Sequence, residues 1–323
     1  MPHLRTALHG SRSTTTMPSW RTTLTAAGIQ DPRLRDDYTY VARRVLRREP
    51  APYLTLRLLA APPLVPWLAA GVGFMNLVDD VAETGTPQER SAGLAVLAGQ
   101  VEAALKTGDS RDPLLRAYAH AVASRGLPEH WVSRFLTGAA TAEACFDGFE
   151  TDEDFQAYLD AYAWPGVLVF TGLQYQGGPD EEQAAAWRRF VDAAQRVDFL
   201  ADLAGDLAEG RLCLPRARLA EHSVTRADLE QARDTPAVRA LLAAETRLAR
   251  AALDATDGIL DLVEPGLRPV IATMTELMGH QLTAVERAGA GSLRKDVGYG
   301  LVAPVRTLMR ARAGRSRLRP GVA

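Results

Sequence analysis

Asn76-Leu-Val-Asp-Asp-Val-Ala-Glu-Thr-Gly85 begins inside a run without charge, Leu58 to Val78, and carries Asp79, Asp80 and Glu83 out of its end. By length alone such a run could cross a bilayer. It holds Pro62, Pro63 and Pro66 near its start, however, and closes on a carboxylate cluster. That pattern predicts a buried helix entered through a proline-rich turn, with no stable membrane span. On such a helix Asp79 and Glu83, four residues apart, share a face, and Asp80 is turned about 100° away.

A second acidic stretch, Gln195-Arg-Val-Asp-Phe-Leu-Ala-Asp-Leu-Ala-Gly-Asp206, repeats Asp198, Asp202 and Asp206 along one stripe, with Gln195 a turn before. Phe199, Leu200 and Leu203 between them read as packing residues. Like charges four apart cost an isolated helix a few tenths of a kcal/mol each, and burial beside apolar neighbours raises that cost. Each row therefore calls for a counter-charge. Facing each other across a cavity, the rows would offer oxygen ligands suited to Mg²⁺, which keeps some waters and completes its shell with phosphate oxygens. Two or three ions bound with a diphosphate are expected on Asp79, Asp80, Glu83, Asp198, Asp202 and Asp206, and all of these except Asp80 are the expected catalytic groups. The uncharged helix would line a hydrocarbon cavity whose rim holds the ion-bound head group, so that an allylic C–O bond ionises in a dry pocket. Aromatic walls would shield the resulting cation.

The 323 residues are 47% hydrophobic and 24% charged with a net charge of −2, a soluble globular balance without the basic field that nucleic acid requires. Cys145 and Cys213 lie far apart with no CxxC pairing, which fits a reducing, cytoplasmic setting and two core residues. No glycine-rich dinucleotide fingerprint is present. Apolar residues recur at helical spacing in Val96–Leu105, Leu114–Val122, Trp131–Ala144, Trp187–Leu207, Val238–Leu262 and Val270–Ala288, separated by turn chemistry at Thr84–Pro87, Gly108–Ser110, Arg125–Pro128, Gly177–Pro179 and Glu264–Gly266. Nine to eleven helices in a single all-α domain are expected over residues 31–312, between a disordered leader (1–30) and a basic tail (313–323). The sequence sets no oligomeric state.

These acidic rows resemble the two metal motifs of the squalene/phytoene synthase family, whose all-α isoprenoid synthase fold encloses a central apolar cavity. Asp79-Asp-Val-Ala-Glu83 is similar to the first, with Glu in the last place. Gln195 through Pro215 is similar to the second, and Tyr158-Leu-Asp-Ala-Tyr-Ala-Trp-Pro-Gly166 to a third family segment. The resemblance spans residues 35 to 312. It implies a transferase of isoprenoid biosynthesis that acts on allylic prenyl diphosphates. Family members place arginines where this chain has Asn76 and Ala201, an asparagine at Asp198 and a tyrosine at Cys213. Losing two cationic clamps makes a second diphosphate harder to hold.

Three outcomes follow from the resemblance. The prenyl cation, of ten to twenty carbons, could pass to a small neutral aromatic acceptor, as in the phytoene-synthase-like prenyltransferases of secondary metabolism; this is the leading expectation. It could join a second prenyl diphosphate head to head, or close on itself as in a class I terpene cyclase. A non-enzymatic helical scaffold is the remaining alternative. The expected substrate-binding residues are Asn76, Gln195, Tyr158, Tyr162, Trp164, Phe74, Arg43, Tyr299 and Arg306, and Arg211 is expected to anchor the end of the acidic helix.

Overall fold

The computed structural model describes residues 17–144 and 146–298. The order of its helices follows from their ends. Asp31 accepts from the Leu34 N–H and Pro32 opens the first turn of a long helix, α2 (Pro32–Arg48), which follows a short α1 (Trp20–Ala26). After α3 (Pro50–Leu59) and a tight turn at Pro62–Leu64, the uncharged run forms α4 (Val65–Glu83), which ends where Thr84 turns extended and Gly85 takes a φ of +92°. A Thr86/Glu89 capping box starts α5 (Pro87–Thr107). Then come α6 (Pro113–Arg125), α7 (Glu129–Gly138), α8 (Asp152–Tyr158) and α9 (Trp164–Thr171). An Asp180/Gln183 box opens α10 (Glu181–Ala201), followed by α11 (Leu203–Ala208), α12 (Arg216–Glu221), α13 (Arg226–Glu230), α14 (Pro236–Asp254), α15 (Ile259–Leu262) and α16 (Arg268–Ala288).

Sixteen α-helices among the described residues exceed the nine to eleven expected, and continuous apolar spacing hid three of the breaks. Trp187–Leu207 is interrupted at Asp202, Val238–Leu262 is cut by Gly258 at a φ of +92°, and Trp131–Ala144 leaves α-geometry after Gly138. The fold class is all-α as the sequence predicts; among the described residues the only β pairing is an isolated bridge between Gly148 and Leu212.

Helix α4 is the hub, packed against α2, α5, α6 and α9. Phe74 and Val78 on it are sealed from solvent, and each large apolar side chain buried this way contributes about 1.5–3 kcal/mol. Two apolar clusters result, one around α2, α4, α6, α7 and α9 and one around α10, α14 and α16, with Met278 of α16 packed against both. The first acidic row rides on a helix of the first cluster, and the second on α10, which contributes to both, and on α11 of the second.

The disordered leader expected over residues 1–30 is corrected from Met17 onward. There α1 is formed, Leu24 and Ile29 are buried, and the Arg57 guanidinium donates to Thr23 Oγ1 and the Pro18 carbonyl while lying over the Trp20 ring. The apolar residues of this stretch have a core to join, which composition alone did not reveal. Residues 1–16, the tail 313–323, Tyr299 and Arg306 lie outside the described residues.

Candidate active site

The last turns of α4 carry the first acidic row. Tyr162 donates from its hydroxyl to Asp79 Oδ1 at 2.6 Å. Burial pushes the Asp79 carboxyl up to about 7; the Tyr162 hydrogen bond pulls it down in part, and the charges of Glu83 and Glu143 push it further up. Glu83 is more exposed, yet partial desolvation in the cleft and then the Glu143 charge raise it as well. Asp80 is different. It is held by Arg44, at 3.1 Å, and by Arg48, both on α2. Two guanidinium groups pair with Asp80, and a metal ion would have to displace them in part to take it as a ligand. Arg43 is exposed on α2, and Arg44 and Arg48 are the arginines that reach the motif.

Glu143 went unnoticed in the sequence. It is 2% exposed, accepts from the Tyr158 hydroxyl at 2.6 Å and pairs with Arg211 Nη1 at 2.8 Å. Its one sequence signal is that it stands as the lone charge between Arg134 and Asp147, in a run of small residues. Both Glu143 and Tyr162 lie on single π-turns, Ala139–Glu143 and Leu159–Ala163. Such turns rotate the side chains that follow and recur at functional sites. The two π-turns abut at Gly138, where a Cβ would stand 2.0 Å from the Ala161 carbonyl oxygen.

The second row lies on α10 and α11. Asp202 breaks α-geometry, but its N–H still donates to the Asp198 carbonyl and the Asp206 N–H to the Asp202 carbonyl, both at 2.9 Å, so the stripe survives the break. Asp198 is exposed to solvent, although protein crowds its carboxyl. That crowding, with the charges of Asp202 and Asp206, pushes its carboxyl up to about 7. Desolvation raises Asp202 and Asp206 too, and the neighbouring Asp296, also missed in the sequence, adds to both. The buried Cys213 thiol hydrogen-bonds Asp206, and burial holds that thiol far above its ordinary value.

Arg211 joins the rows. Besides Glu143 it stands 3.8 Å from Asp206, so it anchors the acidic helix's end and also spans to the other wall. The chain on either side is stitched alongside: Leu212 N–H donates to Asp147 O and Arg216 N–H to Phe149 O. An unbroken path of contacts thus runs from Asp79 through Tyr162, Tyr158, Glu143 and Arg211 to Asp206.

The other expected binding residues are placed less uniformly. Gln195 is half-buried, one turn before Asp198. Asn76 is 3% exposed, and its Nδ2 finds no hydrogen-bond partner among the described residues. Tyr158 serves Glu143. Phe74 is sealed in the core, stacked on Tyr118 at 4.0 Å, so it lies behind the cleft and forms none of its surface. Trp164 packs edge-on against Trp131, with the exposed Arg134 over both rings.

The sequence profile described as "Squalene/phytoene synthase" matches residues 47–301. The chain belongs to the squalene/phytoene synthase family. Members of this family are prenyltransferases. Among solved structures, the family member described here is similar to squalene synthase HpnC from Alicyclobacillus acidocaldarius, with 26% identity, a TM-score of 0.72, and coverage of 82% of this chain and 98% of that one. It shares its fold with a dehydrosqualene synthase solved with a ligand (17% identity, TM-score 0.75, 88% and 98% covered). YisP from Bacillus subtilis subsp. subtilis strain 168 also shares it (15% identity, TM-score 0.64, 86% and 96% covered). The bifunctional protein CrtB/UppS of Streptomyces coelicolor is 28% identical over 259 residues, 79% of this chain and 44% of that protein. The chain therefore spans less than half the length of that curated relative.

Among the described residues no three carboxylate, imidazole or thiol groups stand close enough to close on one ion. The donor set still fits a hard divalent cation bound jointly with a diphosphate. Such an ion takes only one or two carboxylates from the protein. The crowded acids Asp198, Asp202, Asp206 and Asp296 carry mutual repulsion that a cation would relieve.

Proposed function

We propose that the protein is a Mg²⁺-dependent prenyltransferase that ionises an allylic prenyl diphosphate of ten to twenty carbons, transfers the prenyl group to a neutral aromatic acceptor of secondary metabolism, and releases pyrophosphate. Asp79 and Glu83 on one wall, and Asp198, Asp202 and Asp206 on the other, would hold the metal. Bound with the diphosphate, it would supply the positive charge that lets pyrophosphate leave. Tyr162 fixes the orientation of Asp79 and keeps its carboxyl lower than burial alone would set it. Tyr158 and Arg211 fix the orientation of Glu143, whose charge adds to the negative field on the first wall. The proton lost by the acceptor after attack has a base at hand in the departing pyrophosphate.

What supports the acceptor reading is how positive charge is used among the described residues: Arg44, Arg48 and Arg211, the arginines that reach the acidic rows there, are each engaged by a carboxylate. The two places where the family resemblance calls for further arginines hold Asn76 and Ala201, both buried. One diphosphate with metal suits this balance better than two. The second reading, head-to-head coupling of two prenyl diphosphates, is favoured by family membership and by the squalene synthase among the similar structures.

The deciding experiment incubates the purified protein with allylic diphosphates of ten, fifteen and twenty carbons, with and without Mg²⁺ and aromatic acceptors, and measures pyrophosphate. The expected result is release that requires Mg²⁺ and rises on adding an acceptor, with a prenylated aromatic product. A hydrocarbon of doubled carbon number would move the assignment to the second reading, and a cyclic product of unchanged carbon number would indicate a cyclase. No release under any condition would defeat all three.

A further inference from the structure

The break at Asp202 has a cause outside its own helix. In an uninterrupted helix the Gly205 N–H would donate to the Ala201 carbonyl. Here the two are parted: Gly205 N–H donates to Asp296 Oδ1 at 2.8 Å, and the Ala201 carbonyl accepts from Val297 N–H at 2.8 Å. Two consecutive residues from the far end of the chain thus satisfy both atoms that the break would leave bare, as a wedge set into the ladder. Val297 is fixed from behind, since its carbonyl accepts from Gln281 Nε2 of α16. A glycine at 205 leaves room for the contact, because a Cβ there would stand 3.0 Å from Asp296 Oδ2.

We propose that Asp296 is a positioning residue for the second acidic row: with Val297 it wedges the helix open at Asp202 and so fixes how Asp202 and Asp206 are presented. The wedge rests on the geometry alone; that the row it positions holds a metal rests on the proposed function.

The test compares the full chain with Asp296→Asn, Asp296→Ala and Gly205→Ala by amide hydrogen exchange over residues 200–210 and by the binding of Mg²⁺ with inorganic pyrophosphate. Asp296→Asn keeps an oxygen for the Gly205 N–H, so exchange stays slow and Mg²⁺–pyrophosphate affinity is kept. Asp296→Ala loses the contact: exchange near Gly205 quickens by about tenfold, the scale of one charge-assisted hydrogen bond, and Mg²⁺–pyrophosphate affinity falls about tenfold, as for a supporting partner of a metal ligand. Gly205→Ala presses on the same carboxylate from the helix side and is expected to resemble Asp296→Ala in exchange. Unchanged exchange in both alanine variants would overturn the wedge, and quickened exchange with unchanged affinity in Asp296→Ala would overturn its positioning role. If the unaltered protein binds no Mg²⁺ with pyrophosphate, the metal-dependent function falls, and the exchange data alone decide the wedge.

Discussion

At the scale of single residues, the site is governed by how tightly protein surrounds its carboxyls. Asp79 and Asp198 have folded values of about 7 against an ordinary 3.8, so the folded, metal-free protein keeps protons that the unfolded chain releases on passing about pH 4. The stabilisation this gives is complete below the unfolded value and is lost as pH rises through 7. The melting temperature without metal should therefore fall between pH 6 and pH 8, and Mg²⁺ with pyrophosphate should restore it most at pH 8. His120, lowered by burial, works in the opposite direction and reduces the slope. A flat metal-free profile would contradict the assignment of enclosed acids. Tyr162→Phe removes the hydrogen bond that holds Asp79 down, so the acid limb of pyrophosphate release against pH should move to higher pH, with turnover impaired more at pH 6.5 than at pH 8; an unmoved limb would show that Tyr162 does not tune Asp79. The acids on the motifs were legible because their four-residue spacing is a helical signature. Glu143 and Asp296 were not, because each is a lone acid whose neighbours come from distant segments.

At the scale of elements, the departures from regular helix are what shape the cleft. The π-turns Ala139–Glu143 and Leu159–Ala163 bring Glu143 and Tyr162 to the first wall, and they pack without clearance at Gly138. Gly138→Ala would force a methyl against main-chain atoms that have no rotamer to yield. A loss of about 1–3 kcal/mol is expected in denaturant melts, with turnover lowered even where the variant is fully folded. Retained stability together with unchanged turnover would show that the seam does not set the wall. Periodicity placed α4 and α10, because an apolar stripe or a continuous uncharged run has no alternative home, but it set α10 six residues late at each end, Trp187–Leu207 against Glu181–Ala201. It could not show the break at Asp202 or the π-turns: the first is imposed by residues 296 and 297, and the second add one residue to a turn without changing which residue types occupy it.

At the scale of the whole molecule, the all-α class was readable from sequence, whereas the link that Arg211 makes between the segments carrying Asp206 and Glu143 was not. That join depends on Arg211 spanning from Asp206 to Glu143 and on residues 147–149 lying beside 212–216, contacts between segments more than sixty positions apart. The buried Cys213 sits next to this join. Its thiol is shielded and hard to ionise while the walls are together, so alkylation at neutral pH must wait for them to part. With Cys145→Ala removing the other thiol, the rate at which iodoacetamide modifies the protein becomes a stopwatch for opening of this join. Mg²⁺ with pyrophosphate should slow that rate severalfold by tying the walls, and an unaltered rate would mean that the ligand does not bridge them.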